Sequence, residues 1–249
     1  MAMRSSITHS SKRRRRKPIL LIGGDKGGVG KSFGARAMVA WLRKNHYALV
    51  GFDGDGRNGH LERYYASTID VDRFKLRDAL GWSLMFKAWQ KAPDDHIILT
   101  DLPGNVGDMV EDETDRLKRF AEALDRDIIN IWVADEEEDS VWLLKTALAV
   151  ADASRTLFWM NGRFAPDAEA FELWQGSDRR ADFLADGGIE AFLPLLPIFP
   201  RIKIRGARCP FDDVSKAGFD HLEQTDFDIW WESLDQSLAP FAKLMEKLA

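Results

Sequence analysis

Gly23-Gly24-Asp25-Lys26-Gly27-Gly28-Val29-Gly30-Lys31-Ser32 is the stretch that decides the fold of this chain. An unbroken apolar run, Ile19-Leu20-Leu21-Ile22, precedes it, and a segment with helical spacing, Ala35 to Lys44, follows. Strand, glycine loop, Lys-Ser and helix is the order of a P-loop. Gly27, Gly28 and Gly30 lack a Cβ and can take φ > 0, so the backbone can wrap closely around a phosphate. Backbone N–H groups of such a loop converge on the anion, and the helix adds its positive end. In this pattern Lys31 reaches the β- and γ-phosphates and the Ser32 hydroxyl binds Mg²⁺.

The general pattern G-x-x-x-x-G-K-[ST] is incomplete here, because Asp25 stands where its first glycine should be. The narrower pattern K-G-G-x-G-K-[ST] is matched in full by Lys26-Gly27-Gly28-Val29-Gly30-Lys31-Ser32, with a second lysine at the head of the loop. This resembles the deviant P-loop of the ParA/MinD ATPases. The resemblance implies ATP and Mg²⁺ as ligands and an ATP-dependent homodimer. Lys26 would then cross the interface to the partner's nucleotide. The family often has a second hydroxyl residue after the Lys-Ser/Thr pair. Phe33 stands there instead, so a side-chain contact to the α-phosphate is lost while the backbone N–H is retained.

Downstream motifs occur in the matching order. Tyr47 to Phe52 reads as a strand, and Asp53-Gly54-Asp55 follows it. Two aspartates two apart face the same way if the strand continues through them, and open α/β sheets bind ligands at such strand ends. The resemblance puts Asp53 near Mg²⁺ and Asp55 where it orients the attacking water; the alternative is a polar Asp-Gly turn. His96 to Asp101 is an apolar strand ending in aspartate, the Walker B pattern, whose Asp101 would help hold Mg²⁺. Leu102-Pro103-Gly104 follows; this D-x-P-G ending resembles the second switch of the ParA/MinD group, which implies a Gly104 N–H offered to a γ-phosphate, and the alternative is a simple strand-ending turn. Thr156 to Met160 is a strand followed by Asn161, which in the family commonly meets the adenine and otherwise serves as a turn residue. The segment Pro194-Leu195-Leu196-Pro197-Ile198 resembles the loop that closes over the base, with Pro197 and Ile198 as candidate walls. No N-K-x-D guanine motif occurs, which favours ATP over GTP.

Strands are also expected at 127–133 and 189–193, and helices over 32–44, 61–90, 115–124, 140–151, 165–174 and 227–249, the last broken before Pro240. The fold class is therefore α/β: a mostly parallel sheet with helices on both faces and the ligand at the strand C-termini. The closing helical region is expected to pack on the body, with a terminal amphipathic membrane helix as the alternative. The acidic run Asp135 to Asp139 reads as a solvated face that also suits a helix N-terminus. His60 has no second His or Cys near it at ligand spacing.

With 249 residues, 45% apolar and 30% charged, the chain is long enough for one full α/β domain. No apolar run approaches a membrane span, and no signal-peptide h-region is evident. The lone Cys209 excludes an internal disulfide and a cysteine cluster, and fits a cytoplasmic setting. Seven of the 35 basic residues and none of the 40 acidic ones fall in 1–17, so the remainder is net −12. Residues 1–17 read as a disordered basic arm and 18–249 as the ATPase domain. The arm suits non-specific DNA, an anionic surface or an acidic partner, or is simply solvated. Arg201, Lys203, Arg205 and Arg208 form a second basic cluster with the same two readings.

The function expected is therefore an ATP-hydrolysing, dimerising ATPase. It would act in partition, conjugative transfer or protein positioning, with an unidentified cargo or activator protein. Two alternatives remain: a metabolic P-loop kinase or ligase, and an ATP-binding recruitment module with little turnover.

Overall fold

The structure is a computed structural model that describes residues 16–24, 26–56, 59–104 and 107–248. Its centre is a seven-stranded sheet: β1 (Ile19–Gly23), β2 (Leu49–Asp53), β3 (Val71–Arg73), β4 (Ile97–Asp101), β5 (Ile128–Ala134), β6 (Thr156–Asn161) and β7 (Ile189–Leu193). The spatial order is β3-β2-β4-β1-β5-β6-β7. Every pairing is parallel. Ile19-Leu20-Leu21-Ile22 is apolar throughout because both faces of β1 are covered. Leu20 and Ile22 enter the core on one face, and Ile19 and Leu21 the core on the other.

The first face carries α1 (Lys31–Lys44), α2 (His60–Tyr65), α10 (His221–Ser237) and α11 (Ala239–Leu248), with α9 (Ile198–Ala207) at its rim. The opposite face carries α3 (Ala79–Trp89), α4 (Gly107–Ala123), the short α5 (Glu138–Trp142) and α6 (Leu144–Val150), and α7 (Glu172–Gln175) with α8 (Asp178–Ala185). Trp174 stacks on Phe158 of β6 at 3.8 Å between centroids, which ties the α7 region to the sheet.

Several expected elements differ in detail. The span 61–90 is not one helix: α2 ends at Tyr65, β3 adds an edge strand beside β2, and Asp78 starts α3 by accepting the Gly81 N–H at 2.9 Å. The apolar residues of this span are shared among three elements, which its overall hydrophobicity conceals. Residues 165–171 form turns rather than a helix, with Pro166 among them. The expected 140–151 helix is two pieces meeting at Leu143, and α4 starts at Gly107. The C-terminal region begins earlier than expected, at a capping box formed by Asp220 and Glu223. Its break falls at Leu238, before Pro240, and Phe241 and Met245 of α11 are buried in the core. Among the described residues no helix is long and apolar enough to cross a membrane. Residues 1–15 of the expected arm lie outside the described residues.

Candidate nucleotide site

The site stands at the C-terminal ends of β1, β2 and β4, where three loops meet. The first links β1 to α1. Gly28 and Gly30 adopt φ of 90° and 102°, a region that disfavours any residue with a Cβ. A Cβ on Gly27 or Gly28 would meet nothing within 4 Å, so this side of the loop lies open for an anion to approach. The other side is closed. A Cβ on Gly24 would lie 2.6 Å from the Val133 carbonyl, and Val29 is buried with its carbonyl accepting from Asn161 Nδ2 at 2.8 Å. The loop is thus clamped from behind by β5 and β6 and open in front.

The β2 and β4 loops touch each other and the first loop. Gly54 N–H donates to the Asp101 carbonyl at 2.9 Å, and a Cβ on Gly54 would lie 2.6 Å from Pro103 Cδ. A Cβ on Gly104 would come 3.1 Å from Gly27 Cα, so Leu102-Pro103-Gly104 rests against the cradle. A rearrangement of one loop is therefore felt by the next.

Lys31 is almost fully buried, and its ammonium donates to the Lys26 carbonyl at 2.6 Å across the loop. Asp101 is buried, with Oδ1 lacking any hydrogen-bond partner among the described residues. Burial pushes its pKa up to about 7, with the nearby Asp53 charge acting in the same direction. The Ser32 hydroxyl, bonded to the same carboxyl group, and the Lys31 charge oppose that rise. An orphaned carboxylate oxygen beside a serine hydroxyl is a donor pair that suits Mg²⁺. No group of three or more His, Cys, Asp or Glu able to hold a metal occurs among the described residues. Mg²⁺ on Ser32 and Asp101 would complete its shell from phosphate oxygens and water, which is its usual preference.

A cavity of about 630 Å³ opens over these groups. Of the residues expected from sequence, it brings together Gly27, Gly28, Gly30, Lys31, Ser32, Phe33, Asp55, Asp101 and Gly104. Others are placed differently. Asp53 is buried, and its two oxygens accept the Asp55 N–H at 3.1 Å and the Leu61 N–H at 2.8 Å. It fixes the β2 loop and the start of α2 instead of lining the cavity. Asn161 spends both ends of its amide on the protein, giving Nδ2 to Val29 and accepting the Arg163 N–H at 3.1 Å. Its role in this structure is to hold the loop. Pro197 stands at the N-terminus of α9, while the cavity wall is made by its neighbour Leu196 and by Arg201, Ile204 and Arg205 from α9 itself. The Phe33 N–H, expected to be open to a phosphate, donates to the Gly30 carbonyl at 3.0 Å in the tight first turn of α1. Lys26 lies outside the lining, partly exposed, with its ammonium 3.2 Å from Asp135 Oδ2. Asp135 is itself held by the Ser140 hydroxyl at 2.6 Å.

Arg36, Arg77 and Arg163 were not foreseen from the sequence, and Arg201 and Arg205, expected as a basic cluster for nucleic acid or solvent, turn out to face the cavity. Arg36, Arg77, Arg163, Arg201 and Arg205 all reach the cavity wall, giving it a strongly cationic lining. Arg36 was within reach, since it lies four residues after Ser32 on one side of α1. Phe211 and Tyr64 arrive from distant stretches that no local pattern links to the loop.

No known protein-family profile matches the chain. A curated relative, Protein MobD of Acidithiobacillus ferrooxidans, is 28% identical over 179 residues, 72% of this chain and 78% of that protein. The chloroplast FtsY structure from Physcomitrella patens superposes with a TM-score of 0.50 at 13% identity, over 72% of this chain and 59% of that one. The fold is that of a P-loop NTPase. A looser overlap, TM-score 0.47 at 12% identity over 90% of each chain, is found with a nucleotide-binding protein in complex with ADP from Archaeoglobus fulgidus. The cationic cavity over Gly27–Ser32 has the charge and the open glycine loop to receive phosphate groups.

Proposed function

We propose that this P-loop NTPase is an Mg²⁺-dependent ATPase of the ParA/MinD type, dimerising on ATP and released by hydrolysis. The observation that carries the reading is Lys26 at the head of the cradle. Its backbone carbonyl bonds to Lys31 while its side chain stays partly exposed beside Asp135. A lysine so placed is of little use to its own phosphates, and is available to a facing subunit.

The roles follow from position. The open front of Gly27–Gly30 and Lys31 hold phosphate oxygens. Ser32 and Asp101 hold Mg²⁺, which neutralises charge on the phosphate oxygens when bound. Asp53 keeps the β2 loop in place by its two backbone bonds. Asp55, half-buried on the cavity wall, orients the attacking water. Lys26 of the facing subunit stabilises charge on the transferring phosphoryl group. Gly104, packed on Gly27, is the part of the β4 loop that would register whether that group is present. The output is then positional or assembly control: partition, conjugative transfer or protein positioning in the cytoplasm, through a cargo or activator protein.

The basic arm suits an anionic surface such as DNA. Its root is Arg16, paired with Asp94 at 2.9 Å, and Lys17, at the N-terminal end of β1. The cradle is at the other end of that strand, so a surface held by the arm would not compete with nucleotide. Sedimentation of the full chain tests the reading. A dimer with Mg²⁺-ATP and a monomer with ADP are expected, with the ATP dimer lost in Lys26→Ala. Equal sedimentation of wild type and variant with ATP would refute the assignment of Lys26.

A further inference from the structure

The inward-facing arginines of this molecule mostly find oxygen partners. Arg126 donates to four backbone carbonyls, and Arg43 pairs with Asp212 at 3.2 Å. Arg36 does not. Its Nε and Nη2 are buried and have no hydrogen-bond partner among the described residues. The guanidinium carbon lies 3.4 Å from the Tyr64 ring centroid and 4.2 Å from that of Phe211, so two aromatic faces fix its position. Burial is the leading cause of its depressed pKa, and among the described residues no carboxylate forms an ion pair with it. A desolvated guanidinium without a counter-charge is unfavourable unless something else supplies one. Arg36 lines the nucleotide cavity, so a bound ligand is in a position to do so.

The position along α1 says which part of a nucleotide this is. Arg36 is three residues after Phe33 and four after Ser32, and helical side chains lean toward the N-terminus, here toward the cradle. Phe211, which stacks on Arg36, also packs on Phe33 at 5.3 Å between centroids. In a P-loop the loop N–H groups take the α- and β-phosphates and the lysine reaches β and γ. At the first turn of α1 this chain has a phenylalanine side chain, and an N–H already donated to Gly30. At position 33, then, neither a side-chain hydroxyl nor an uncommitted N–H is offered to the α-phosphate.

Building on the nucleotide reading above, we infer that Arg36 is a nucleotide-binding residue that supplies the missing donors to the α-phosphate. The aromatic clamp holds the fork in place before the ligand arrives, so little rotamer freedom is lost on binding.

Calorimetric titration of the full-length protein with ATP and with ADP, in Mg²⁺, tests this in wild type, Arg36→Met and Arg36→Lys. Apo melting temperatures are measured alongside. The Met variant should lose about ten- to a hundredfold in affinity for ATP and ADP alike, since both carry an α-phosphate. Its apo melting temperature should hold or rise, because an unpaired buried charge has gone. The Lys variant should recover part of the affinity. Met-variant affinities within twofold of wild type would overturn the inference. So would a loss confined to ATP, which would move Arg36 to the γ end. A fall in apo melting temperature with no recovery in Lys would also overturn it, as the mark of a packing role. If wild type binds neither nucleotide, the nucleotide reading itself fails, which is a distinguishable result.

Discussion

Gly30→Ala tests how the cradle is held. Gly30 has φ of 102°, and a Cβ there would fall inside the van der Waals shell of Asn161 Nδ2, the group that donates to the Val29 carbonyl at 2.8 Å. A residue with a Cβ at such a φ is strained by about 1–3 kcal/mol. Displacing the Asn161 amide leaves a buried carbonyl without its partner, at about 1–3 kcal/mol more. The sum, roughly 2–6 kcal/mol, is a large part of a domain stability of about 5–15 kcal/mol. Gly27→Ala is the control, since its Cβ meets nothing and no positive φ is involved. It should change stability by less than about 1 kcal/mol. Urea unfolding of the metal-free protein, followed by tryptophan fluorescence, gives both numbers. Asn161→Ala completes a double-mutant cycle. It removes the same bond by itself, so Gly30→Ala with Asn161→Ala should cost less than the two single changes added. A Gly30→Ala cost no larger than that of Gly27→Ala, or strictly additive costs, would refute the clamp.

Other outcomes follow from the same geometry. Asp101 has a folded-state pKa of about 7, above its ordinary value of 3.8, so the folded state binds the proton more tightly. In the metal-free protein the Asp101 contribution to stability should be fully present below about pH 4, be lost as pH rises toward 7 and then level off; the difference between wild type and Asp101→Asn in pH-dependent urea midpoints should show this dependence. Asp135→Asn removes the charge holding Lys26 while leaving Asn able to bond Ser140. It should change stability by no more than about 1 kcal/mol, because Lys26 is partly exposed, and should lower the ATP concentration needed for dimerisation in light scattering. Arg126→Met strips the donors from four carbonyls that join the ends of β1, β4 and the α3 exit. A loss of about 2–4 kcal/mol in urea unfolding is expected.

The parts of the fold that could be read from sequence are those where each residue is constrained locally. Ile19–Ile22 must be apolar on both sides of β1, the glycines must bend, and Asp101 ends an apolar strand. The β1, loop, α1 and β4 assignments needed nothing else. The 61–90 span was misread because its large apolar residues serve α2, β3 and α3 in turn, and composition does not show where one element stops. Asn161 could be placed near the loop, but its tie to Val29 depends on how closely β6 approaches it. The Phe33 N–H could not be known to be taken, because that depends on a tight first turn. Helical spacing alone could put Arg36 on the Ser32 side of α1, but not show what holds it. Its clamp joins Tyr64 of α2 to Phe211, 147 positions further along, and only tertiary packing brings them together.

The most direct test of the central claim, that Lys26 acts on the facing subunit's nucleotide, is steady-state ATP hydrolysis in a mixture of two inactive variants. Lys26→Ala keeps Asp55 but lacks the crossing lysine; Asp55→Ala keeps the lysine but lacks the water-orienting carboxylate. Each should be inactive alone. Mixed one to one, every mixed dimer carries one complete site of two, so a rate well above that of either variant alone should return. A mixture no faster than its components would mean that Lys26 serves its own subunit or none.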